Sequence, residues 1–419
     1  MPLRPKVARV SVMGAKGSFV IIGGGQAGAW AARTLRQEGF DGRLTLVGSE
    51  AHPPYERPPL SKQLLLGQSE IEGTYVFPAK AYVDWAINLR LNTNVAKILP
   101  GRSRIELSDG GSLEYERLLL ATGGRPRVLD LPGALTGNVF YLRSVNDALA
   151  LRAALASPAR VLIIGGGWIG LEVAAAARKL GADVTVIESA GRLCGRAVPP
   201  NISKLLLDLH RSHGVDVRLG MSVATLEGAG RVERARLSNG EALDVSAVVI
   251  GIGIVPAADI ATAAGLVVDN GIVVDERLQS SVSGIFAAGD VANVRDSSGR
   301  LTRLESWDNA QKQGVAAAQA MLGKPLKLDG YPWFWSDQYD QNIQMVGSAS
   351  ESDESIDLPT ASANARLLLY RRAGSVTGAV GINAGRDIRM IKRRLEAGQT
   401  IDGPALTDST LPLQVAIKS

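Results

Sequence analysis

The chain has 419 residues, more than one ordinary hydrophobic core requires, so two or three domains are expected. Hydrophobic residues make up 46% and charged residues 21% of it, as in a soluble globular protein. Its 46 basic and 41 acidic residues are dispersed, which excludes a nucleic-acid-binding tail, and no apolar run reaches the roughly 18 residues that span a bilayer. Residues 1–17 contain no apolar stretch of signal-peptide length, so a disordered lead-in and a cytoplasmic protein are predicted.

A glycine motif follows the first predicted strand. The apolar run 19–22 leads into Gly23-x-Gly25-x-x-Gly28, and residues 26–35 have the pattern of a helix. Glycines allow a backbone to approach a pyrophosphate closely, and the helix N-terminus offers N–H groups to the phosphates. Glu50 follows Gly28 by 22 residues, close to the roughly 20 expected before the acid that binds a ribose hydroxyl. A dinucleotide site is therefore favoured over an ordinary glycine-rich turn.

The next segment, Pro53-Pro-Tyr-Glu-Arg-Pro-Pro-Leu-Ser-Lys62, contains four prolines in seven residues. Proline excludes a helix interior and a central strand, so a stiff loop is predicted, either a surface linker or a rigid wall beside a bound ring system. Residues 74–121 then alternate short apolar stretches with turns. They end in a buried strand before Thr122 and Gly123, where backbone can meet a ligand.

The glycine motif recurs 142 residues after its first copy. The apolar run 161–164 precedes Gly165-x-Gly167-x-x-Gly170, and after a helix the strand 184–187 ends at Glu188. Two such units form an internal repeat, which predicts two dinucleotide sites. The Glu188 carboxylate accepts hydrogen bonds from a ribose diol and repels a 2′-phosphate, so NAD is favoured over NADP despite the nearby Arg192.

Two further acidic residues, Glu172 and Asp290, can each be explained either by the end of a helix or by a functional role. Glu172 lies in the first turn of the second helix, where a carboxylate suits the positive end of the helix dipole. Asp290 follows a predicted strand that ends at Gly289. It is either the N-cap of a following helix or a residue that holds a polyol hydroxyl of a cofactor.

The last domain is predicted to begin near Tyr331, where aromatic residues cluster over 331–339. An Ala/Gln-rich helix is predicted before it at 309–322, strands after it at 343–347, 366–370 and 376–382, and a helix at 386–395. Arg389, Lys392 and Arg393 share one face of that last helix, which is either a solvated basic surface or a dock for an acidic partner.

The two repeats and the strand that ends at Gly289-Asp290 resemble the flavoprotein disulfide reductase superfold, which binds two dinucleotides. More specifically, Pro54-Tyr-Glu-Arg-Pro-Pro-Leu-Ser-Lys62 together with Trp335-Ser-Asp-Gln338 is similar to the ferredoxin reductases that serve bacterial Rieske-type aromatic-ring dioxygenases and some cytochromes P450. The resemblance covers essentially residues 18–402. It implies an α/β fold with a Rossmann-like FAD-binding domain (18–124 and 251–328), a Rossmann-like NAD-binding domain (125–250) and a C-terminal α+β domain (329–419).

The resemblance also implies roles for individual residues, and it names Lys62, Glu172 and Trp335 as catalytic. Cofactor contacts are implied for Gly23, Gly25, Gln26, Ala27, Gly28, Glu50, Arg57, Pro59, Lys62, Ala121, Thr122, Gly123, Arg143, Gly253, Gly289, Asp290, Val291, Trp307 and Trp335. NADH contacts are implied for Gly165, Gly167, Trp168, Ile169, Gly170 and Glu188, with Glu172 beside the nicotinamide and Glu305 near the ferredoxin side of the flavin. Two positions depart from the family pattern: Gly124 replaces a common alanine, and Ser49 stands where an acid is frequent.

The implied activity is electron transfer from NADH through FAD, one electron at a time, to a small acidic 2Fe–2S ferredoxin. In it, Lys62 lies near N5 of the flavin and favours its reduced form, the ferredoxin docks beside Trp333 and Trp335, and the basic helix steers it. A monomer or weak homodimer is predicted, with no metal ion and no nucleic-acid or membrane partner.

Three other activities compete with electron transfer to a ferredoxin. Reduction of disulfides or peroxides through a cysteine needs thiols beside the flavin, whereas the only cysteine, Cys194, follows the second repeat. A rubredoxin acceptor is the closer alternative. A redox-sensing flavoprotein, similar to relatives of apoptosis-inducing factor, is compatible with the basic helix but gains little support from the dispersed charge.

Overall fold

A computed structural model describes residues 17–156, 159–326, 328, 330–360, 362–399 and 401. The predicted disordered lead-in lies outside the described residues except for Gly17, and so does the end of the predicted last domain, residues 402–419. In the part of the chain that is described, no helix is long and apolar enough to cross a membrane.

The first glycine motif lies between a strand and a helix, as predicted. The elements up to residue 126 are β1 (Ser18–Ile22), α1 (Gln26–Gln37), β2 (Arg43–Val47), α2 (Ala79–Asp84), β3 (Asn88–Arg90), β4 (Val95–Leu99), β5 (Arg104–Leu107), β6 (Ser112–Glu114), β7 (Arg117–Leu120) and β8 (Gly124–Pro126). Strands β7, β1, β2 and β3 pair in parallel in that order, while β4, β5 and β6 form an antiparallel meander. The apolar runs of β1 and β7 are buried, as parallel strands require.

The second glycine motif repeats this arrangement. Its elements are β9 (Val139–Phe140), α3 (Val145–Ala154), β10 (Arg160–Ile164), α4 (Trp168–Lys179), β11 (Asp183–Glu188), α5 (Pro200–Ser212), β12 (Asp216–Leu219), β13 (Val223–Glu227), β14 (Arg234–Leu237), β15 (Ala242–Asp244), β16 (Ala247–Ile250) and β17 (Ile254–Pro256). A parallel sheet forms in the order β12-β11-β10-β16-β9, and β17 pairs with β8 where the chain returns to the first unit.

The remaining elements complete the first sheet and build a third unit. They are α6 (Asp259–Ala263), β18 (Ile272–Val274), β19 (Ile285–Ala287), β20 (Ala292–Arg295), β21 (Leu301–Thr302), α7 (Trp307–Met321), β22 (Trp333–Gln338), β23 (Gln341–Gly347), β24 (Glu354–Leu358), β25 (Arg366–Arg372), β26 (Ser375–Ile382) and α8 (Gly385–Glu396). Strand β19 pairs with β7, so the first sheet has the order β19-β7-β1-β2-β3 and draws on distant parts of the chain. Strands β22-β23-β26-β25-β24 form an antiparallel sheet against which α8 packs its apolar face.

Several local predictions need correction. The proline-rich segment contains one 3-10 turn, Pro58–Ser61, because proline suits the first position of a helical turn, where its missing N–H is not needed. The helix predicted at 309–322 begins at Trp307, since the Ser306 hydroxyl accepts a hydrogen bond from the Asn309 N–H at 3.1 Å and caps it. Strands β22 and β24 were not predicted, and the aromatic cluster belongs to β22.

Helices α1 and α7 pack at backbone contact distance. A Cβ atom placed on Gly314 of α7 would lie 2.4 Å from the carbonyl oxygen of Ala27 in α1. Because that neighbour is backbone, it cannot move aside as a side chain would. The contact joins the first glycine motif to the helix that leads toward β22.

We expect Gly314→Ala to lower the free energy of unfolding by about 1–3 kcal/mol, because overpacking outweighs the roughly 1 kcal/mol that alanine adds in helix propensity. Urea unfolding of the purified protein measures the difference. Gly137→Ala is the control, since a Cβ there meets no atom within 4 Å. Equal free energies of unfolding for Gly314→Ala and Gly137→Ala would show that α1 and α7 can move apart without loss of stability.

Candidate active site

A continuous cleft of about 2100 Å³ runs along the carboxyl ends of both parallel sheets. Both glycine motifs line it, together with the proline-rich loop and the aromatic strand β22. Open α/β sheets bind their ligands in the crevice outside the carboxyl ends of their strands, which is where this cleft lies.

The first glycine motif forms a cradle for a diphosphate. Gly23 has a φ of 122°, and a Cβ there would lie 2.1 Å from the Ala121 carbonyl oxygen. Gly28 packs equally closely on the carbonyl of Gly23, which lets α1 approach β1. Gly25, the N-cap of α1, lines the cleft and has open space where a Cβ would stand, so a ligand can approach the start of the helix closely. This cradle fits the pyrophosphate of FAD.

The second motif has the same geometry and adds a carboxylate. Gly165 has a φ of 108°, and a Cβ there would lie 2.5 Å from the Gly251 carbonyl oxygen. The Glu188 carboxylate accepts hydrogen bonds from the N–H groups of Gly166 and Ala190, both at 2.7 Å. It is thereby fixed at the end of β11, beside the loop that would hold the pyrophosphate of NAD(H).

Arg192, the nearby cation, is held by other partners. One terminal nitrogen donates to the Val198 carbonyl at 2.6 Å and to the Ser203 hydroxyl at 3.2 Å, and the other pairs with Glu351 of the C-terminal unit. Its guanidinium is therefore already paired, which supports recognition of a nucleotide without a 2′-phosphate.

Glu50 belongs to a partly buried network in the first unit. Its carboxylate lies 2.9 Å from the Arg57 guanidinium and accepts a hydrogen bond from the Tyr55 hydroxyl. Burial raises the pKa of Tyr55 to about 12, so the hydroxyl stays protonated. Burial by itself lowers the pKa of Arg57, because it disfavours the charged guanidinium. The nearby Tyr55 and Glu50 favour the charged form more strongly, so the net effect is a raised pKa.

Asp290 is no N-cap, because the element after it is strand β20 and not a helix. Its carboxylate pairs with Arg143 at 3.3 Å and lines the cleft. Burial lowers the pKa of Arg143. This position excludes the N-cap interpretation of Asp290, and its role in binding a cofactor stays a prediction.

Lys62 and Glu172 form a buried ion pair between the two cradles. The Lys62 ammonium lies 2.7 Å from one Glu172 oxygen, and the two residues are 8% and 3% exposed. The Ser61 hydroxyl donates to the same oxygen, and the Ser336 hydroxyl of β22 donates to the other oxygen at 2.6 Å. The Lys62 ammonium and the Ser61 and Ser336 hydroxyls all donate to this carboxylate, from two segments that are far apart in the chain. Compensation of the helix dipole alone does not account for these three partners of Glu172.

Three tryptophans of α7 and β22 cluster along the cleft. Trp335 contacts Trp307 edge-on with 5.6 Å between ring centroids and stacks on Trp333 at 5.0 Å. The Lys392 ammonium lies 5.5 Å from the Trp333 ring centroid and 3.4 Å from Asp308. Lys392 is thus committed to these partners, whereas Arg389 and Arg393 are exposed, which narrows the predicted basic surface to those two residues.

Most of the predicted site residues line the cleft. These are Gly23, Gly25, Gln26, Ala27, Glu50, Arg57, Lys62, Ala121, Thr122, Gly123, Arg143, Gly165, Gly167, Trp168, Ile169, Glu172, Glu188, Gly253, Gly289, Asp290, Glu305, Trp307 and Trp335. Gly28, Pro59, Gly170 and Val291 are not among its lining residues. The two glycines serve helix–strand packing, Val291 is fully buried, and Pro58 faces the cleft in place of Pro59 on the 3-10 turn.

Three residues behind the cleft wall were not singled out from the sequence: Tyr55, Ser61 and Ser336. All three belong to the motifs that carry the resemblance, but neither residue type nor spacing marks them. Their role as hydrogen-bond donors to Glu50 and Glu172 appears only when the segments meet.

Cys194 lies beside the second glycine motif, with its sulfur 3.6 Å from the Gly166 carbonyl oxygen. Burial raises the pKa of this thiol far above its usual value, so it is held as an unreactive thiol. This placement argues against reduction through a cysteine. In the described part of the chain, His, Cys, Asp and Glu form no group of three that could hold a metal ion.

Comparisons with known proteins agree with this geometry. The profile of the pyridine nucleotide-disulphide oxidoreductase family matches residues 17–314, and the reductase C-terminal profile matches residues 333–417. The chain is 42% identical over 388 residues to the 3-phenylpropionate/cinnamic acid dioxygenase ferredoxin–NAD(+) reductase component of Photorhabdus laumondii, covering 92% of this chain and 98% of that protein.

The chain belongs to this family of ferredoxin–NAD(+) reductases. It is also 39% identical over 403 residues to rhodocoxin reductase of Rhodococcus erythropolis, covering 96% of this chain and 94% of the relative. A crystal structure of a covalent putidaredoxin reductase–putidaredoxin complex matches with a TM-score of 0.91 and 36% identity, over 96% of this chain and 98% of that one. The predicted fold class, the predicted oxidoreductase activity and the predicted cofactors, FAD and NAD(H), are confirmed.

We expect Glu188→Gln to lower kcat/KM for NADH by about 10- to 100-fold, because a charge-assisted hydrogen bond to the ribose is lost. The kcat/KM for NADPH should change far less, because the substitution also removes the repulsion between the Glu188 carboxylate and the 2′-phosphate. Steady-state reduction of ferricyanide with each nucleotide measures both values. The exposed Glu233 provides the control variant Glu233→Gln, and an equal loss with both nucleotides would contradict a role in discrimination.

Proposed function

We propose that this protein transfers electrons from NADH through FAD, one at a time, to a 2Fe–2S ferredoxin that feeds an aromatic-ring dioxygenase or a cytochrome P450. The observation that carries the proposal is the buried Lys62–Glu172 pair, which stands between two nucleotide cradles and next to an aromatic exit at Trp335. The names of its relatives, which act with a dioxygenase or with putidaredoxin, support the same acceptor class.

The chain's own residues would position the nucleotides. The first cradle and the Glu50–Arg57 network would bind FAD, and Asp290 would hold its polyol chain. The second cradle and Glu188 would bind NADH. FAD, when bound, supplies the redox chemistry: it accepts a hydride and releases electrons singly. No proton-abstracting side chain is needed for this reaction, so orientation and electrostatics are what the protein adds.

Lys62 supplies the positive charge at the centre of the site. Its ammonium is buried, and a cation close to a flavin favours the form that carries negative charge. Glu172 keeps this ammonium oriented at 2.7 Å and, from α4, lies on the side where the nicotinamide would enter. The pair would thus align donor and acceptor while the proline-rich loop excludes water.

The acceptor would dock where the aromatic residues reach the surface. Trp335 lines the cleft and stacks on Trp333, which lies beside α8. The exposed Arg389 and Arg393 present positive charge next to this exit, which suits an acidic ferredoxin. A rubredoxin remains the second candidate but has no support among the named relatives.

NADH is an intracellular nucleotide, so we place the reaction in the cytoplasm. A monomer or weak homodimer, working with a small ferredoxin of either the Rieske or the plant and vertebrate type, remains our prediction.

Anaerobic titration of the holoenzyme tests the proposal directly. NADH should bleach the flavin absorbance, and a 2Fe–2S ferredoxin should restore it faster than a rubredoxin at equal concentration. Faster recovery of the flavin absorbance with rubredoxin would show that rubredoxin, and not the ferredoxin, is the acceptor. Failure of NADH to bleach the flavin would contradict the reductive half of the proposal.

We expect Lys62→Ala to slow flavin reduction by NADH about 10-fold or more and to lower the flavin midpoint potential, because the buried cation is lost and Glu172 is left unpaired. Stopped-flow absorbance and a redox titration measure the two effects. Lys62→Arg is the matched variant that keeps the charge, and it should retain most of the potential. An unchanged potential and an unchanged rate in Lys62→Ala would remove Lys62 from the mechanism.

We expect the double charge reversal Arg389→Glu/Arg393→Glu to slow cytochrome c reduction through ferredoxin about 10-fold at low salt, because it turns attraction into repulsion. Direct ferricyanide reduction by the same variant should be unaffected. Lys97→Glu/Arg102→Glu changes the same number of charges on exposed residues of the β4–β6 meander and serves as control. Equal losses in both variants would assign the effect to net charge rather than to docking.

A further inference from the structure

Strand β22 presents different side chains on its two faces. Trp333 and Trp335 point toward the aromatic exit, while Phe334, Ser336 and Gln338 alternate with them and face the NAD-binding unit. Phe334 contacts Trp168 of α4 with 5.0 Å between ring centroids, and the Ser336 hydroxyl reaches Glu172 of the same helix. One strand of the C-terminal unit therefore touches both the exit and the ion pair.

A line of hydrogen bonds extends from Glu172 into the interior. Ser336 Oγ lies 2.6 Å from Glu172 Oε1 and 3.0 Å from Gln338 Nε2. Gln338 Oε1 lies 2.8 Å from Nε2 of His210 in α5, and Nδ1 of that imidazole lies 3.2 Å from the Tyr339 hydroxyl. Ser336, Gln338 and His210 are fully buried.

The ionised carboxylate fixes the direction of every bond in this line. Because Glu172 can only accept, Ser336 donates to it and must accept from the Gln338 amide N–H. The Gln338 carbonyl oxygen then needs a donor, which makes His210 Nε2 the protonated nitrogen. His210 Nδ1 is left as the acceptor for the Tyr339 hydroxyl, so all four donors point toward the carboxylate.

Burial preserves this arrangement. It lowers the pKa of His210 to about 4, so the imidazole is neutral and keeps one donor and one acceptor nitrogen near neutral pH. It also raises the pKa of Tyr339 above its usual value, so the phenol keeps its proton. His213 stacks on the Tyr339 ring at 3.6 Å, and Lys179 donates to the Tyr339 carbonyl at 2.6 Å, which closes the outer end of the line.

We propose that Ser336, Gln338 and His210 are positioning residues for the reduction of the flavin by NADH. Their aligned donors hold one oxygen of Glu172, which leaves the other oxygen to hold the Lys62 ammonium. The C-terminal unit thus takes part in the nicotinamide half of the reaction as well as in acceptor docking. The inference rests on the proposed place of Glu172 beside the nicotinamide.

The central test is a double-mutant cycle between Ser336→Ala and Glu172→Gln in the holoenzyme. Ser336→Ala should lower the limiting rate of flavin reduction by NADH about 10-fold, since a hydrogen bond to a charged group is lost. In the Glu172→Gln background the same substitution should change the rate less than about 2-fold, because a residue that acts through Glu172 has nothing left to position. An additional loss of about 10-fold in that background would overturn the inference.

Conservative variants and a second electron donor separate positioning from structural damage. Ser336→Thr keeps the hydroxyl and should recover most of the rate, and His210→Gln, which keeps a donor amide, should be faster than His210→Leu. Reduction of the flavin by dithionite, which transfers no hydride, should proceed at the wild-type rate in Ser336→Ala. Ser280→Ala removes another buried serine hydroxyl and controls for that loss alone.

The outcomes separate this inference from the proposed function. If Glu172→Gln leaves NADH reduction unchanged, the place of Glu172 beside the nicotinamide is wrong, and the inference falls with it. If Glu172→Gln slows reduction while Ser336→Ala and Gln338→Leu do not, the proposed function stands and this inference alone is overturned. Slowed dithionite reduction in Ser336→Ala would likewise overturn it, since the effect would not be specific to hydride transfer.

Discussion

The ion pair between Lys62 and Glu172 is the contact on which the rest of the site depends. Two charges removed from water are stable together only when further hydrogen bonds satisfy their remaining donors and acceptors. Here the carboxylate receives Ser61 and Ser336 in addition to the ammonium, and the ammonium also donates to the Pro58 carbonyl at 3.2 Å. The proline-rich loop, α4 and β22 must therefore all be in place before either charge can be buried.

This requirement explains why three separate units form one site. Each parallel sheet builds a glycine cradle from its own strand, turn and helix. The ion pair lies where the cradles face each other, so it depends on how the units pack. The C-terminal unit contributes Ser336 to this contact and Trp335 to the exit from neighbouring residues of one strand. Reduction and re-oxidation of the flavin would thus share a rigid element.

Because the chain contains one cysteine, electrons cannot leave the flavin through a pair of thiols. Disulfide reductases of this superfold need thiols beside the flavin, whereas the loop proposed to lie there in this chain contains prolines and Lys62 and no cysteine. Cys194 is the only thiol and is buried against the second cradle. The buried thiol supports the proposed exit at the aromatic edge of Trp335, which would suit a one-electron carrier.

Local patterns by themselves determined the repeated strand–glycine–helix units and the dinucleotide class of the cofactors, because backbone geometry and phosphate binding depend on residues close together in the chain. They also predicted Glu50 and Glu188 as the ribose-binding acids. They also excluded an intramolecular disulfide, because the sequence contains one cysteine. Only the tertiary structure decided that Asp290 precedes a strand, that Lys392 is held by Asp308 and Trp333, and that Ser336 contacts Glu172. These contacts join residues far apart in sequence, and no periodicity or spacing records which distant side chains meet when the units pack.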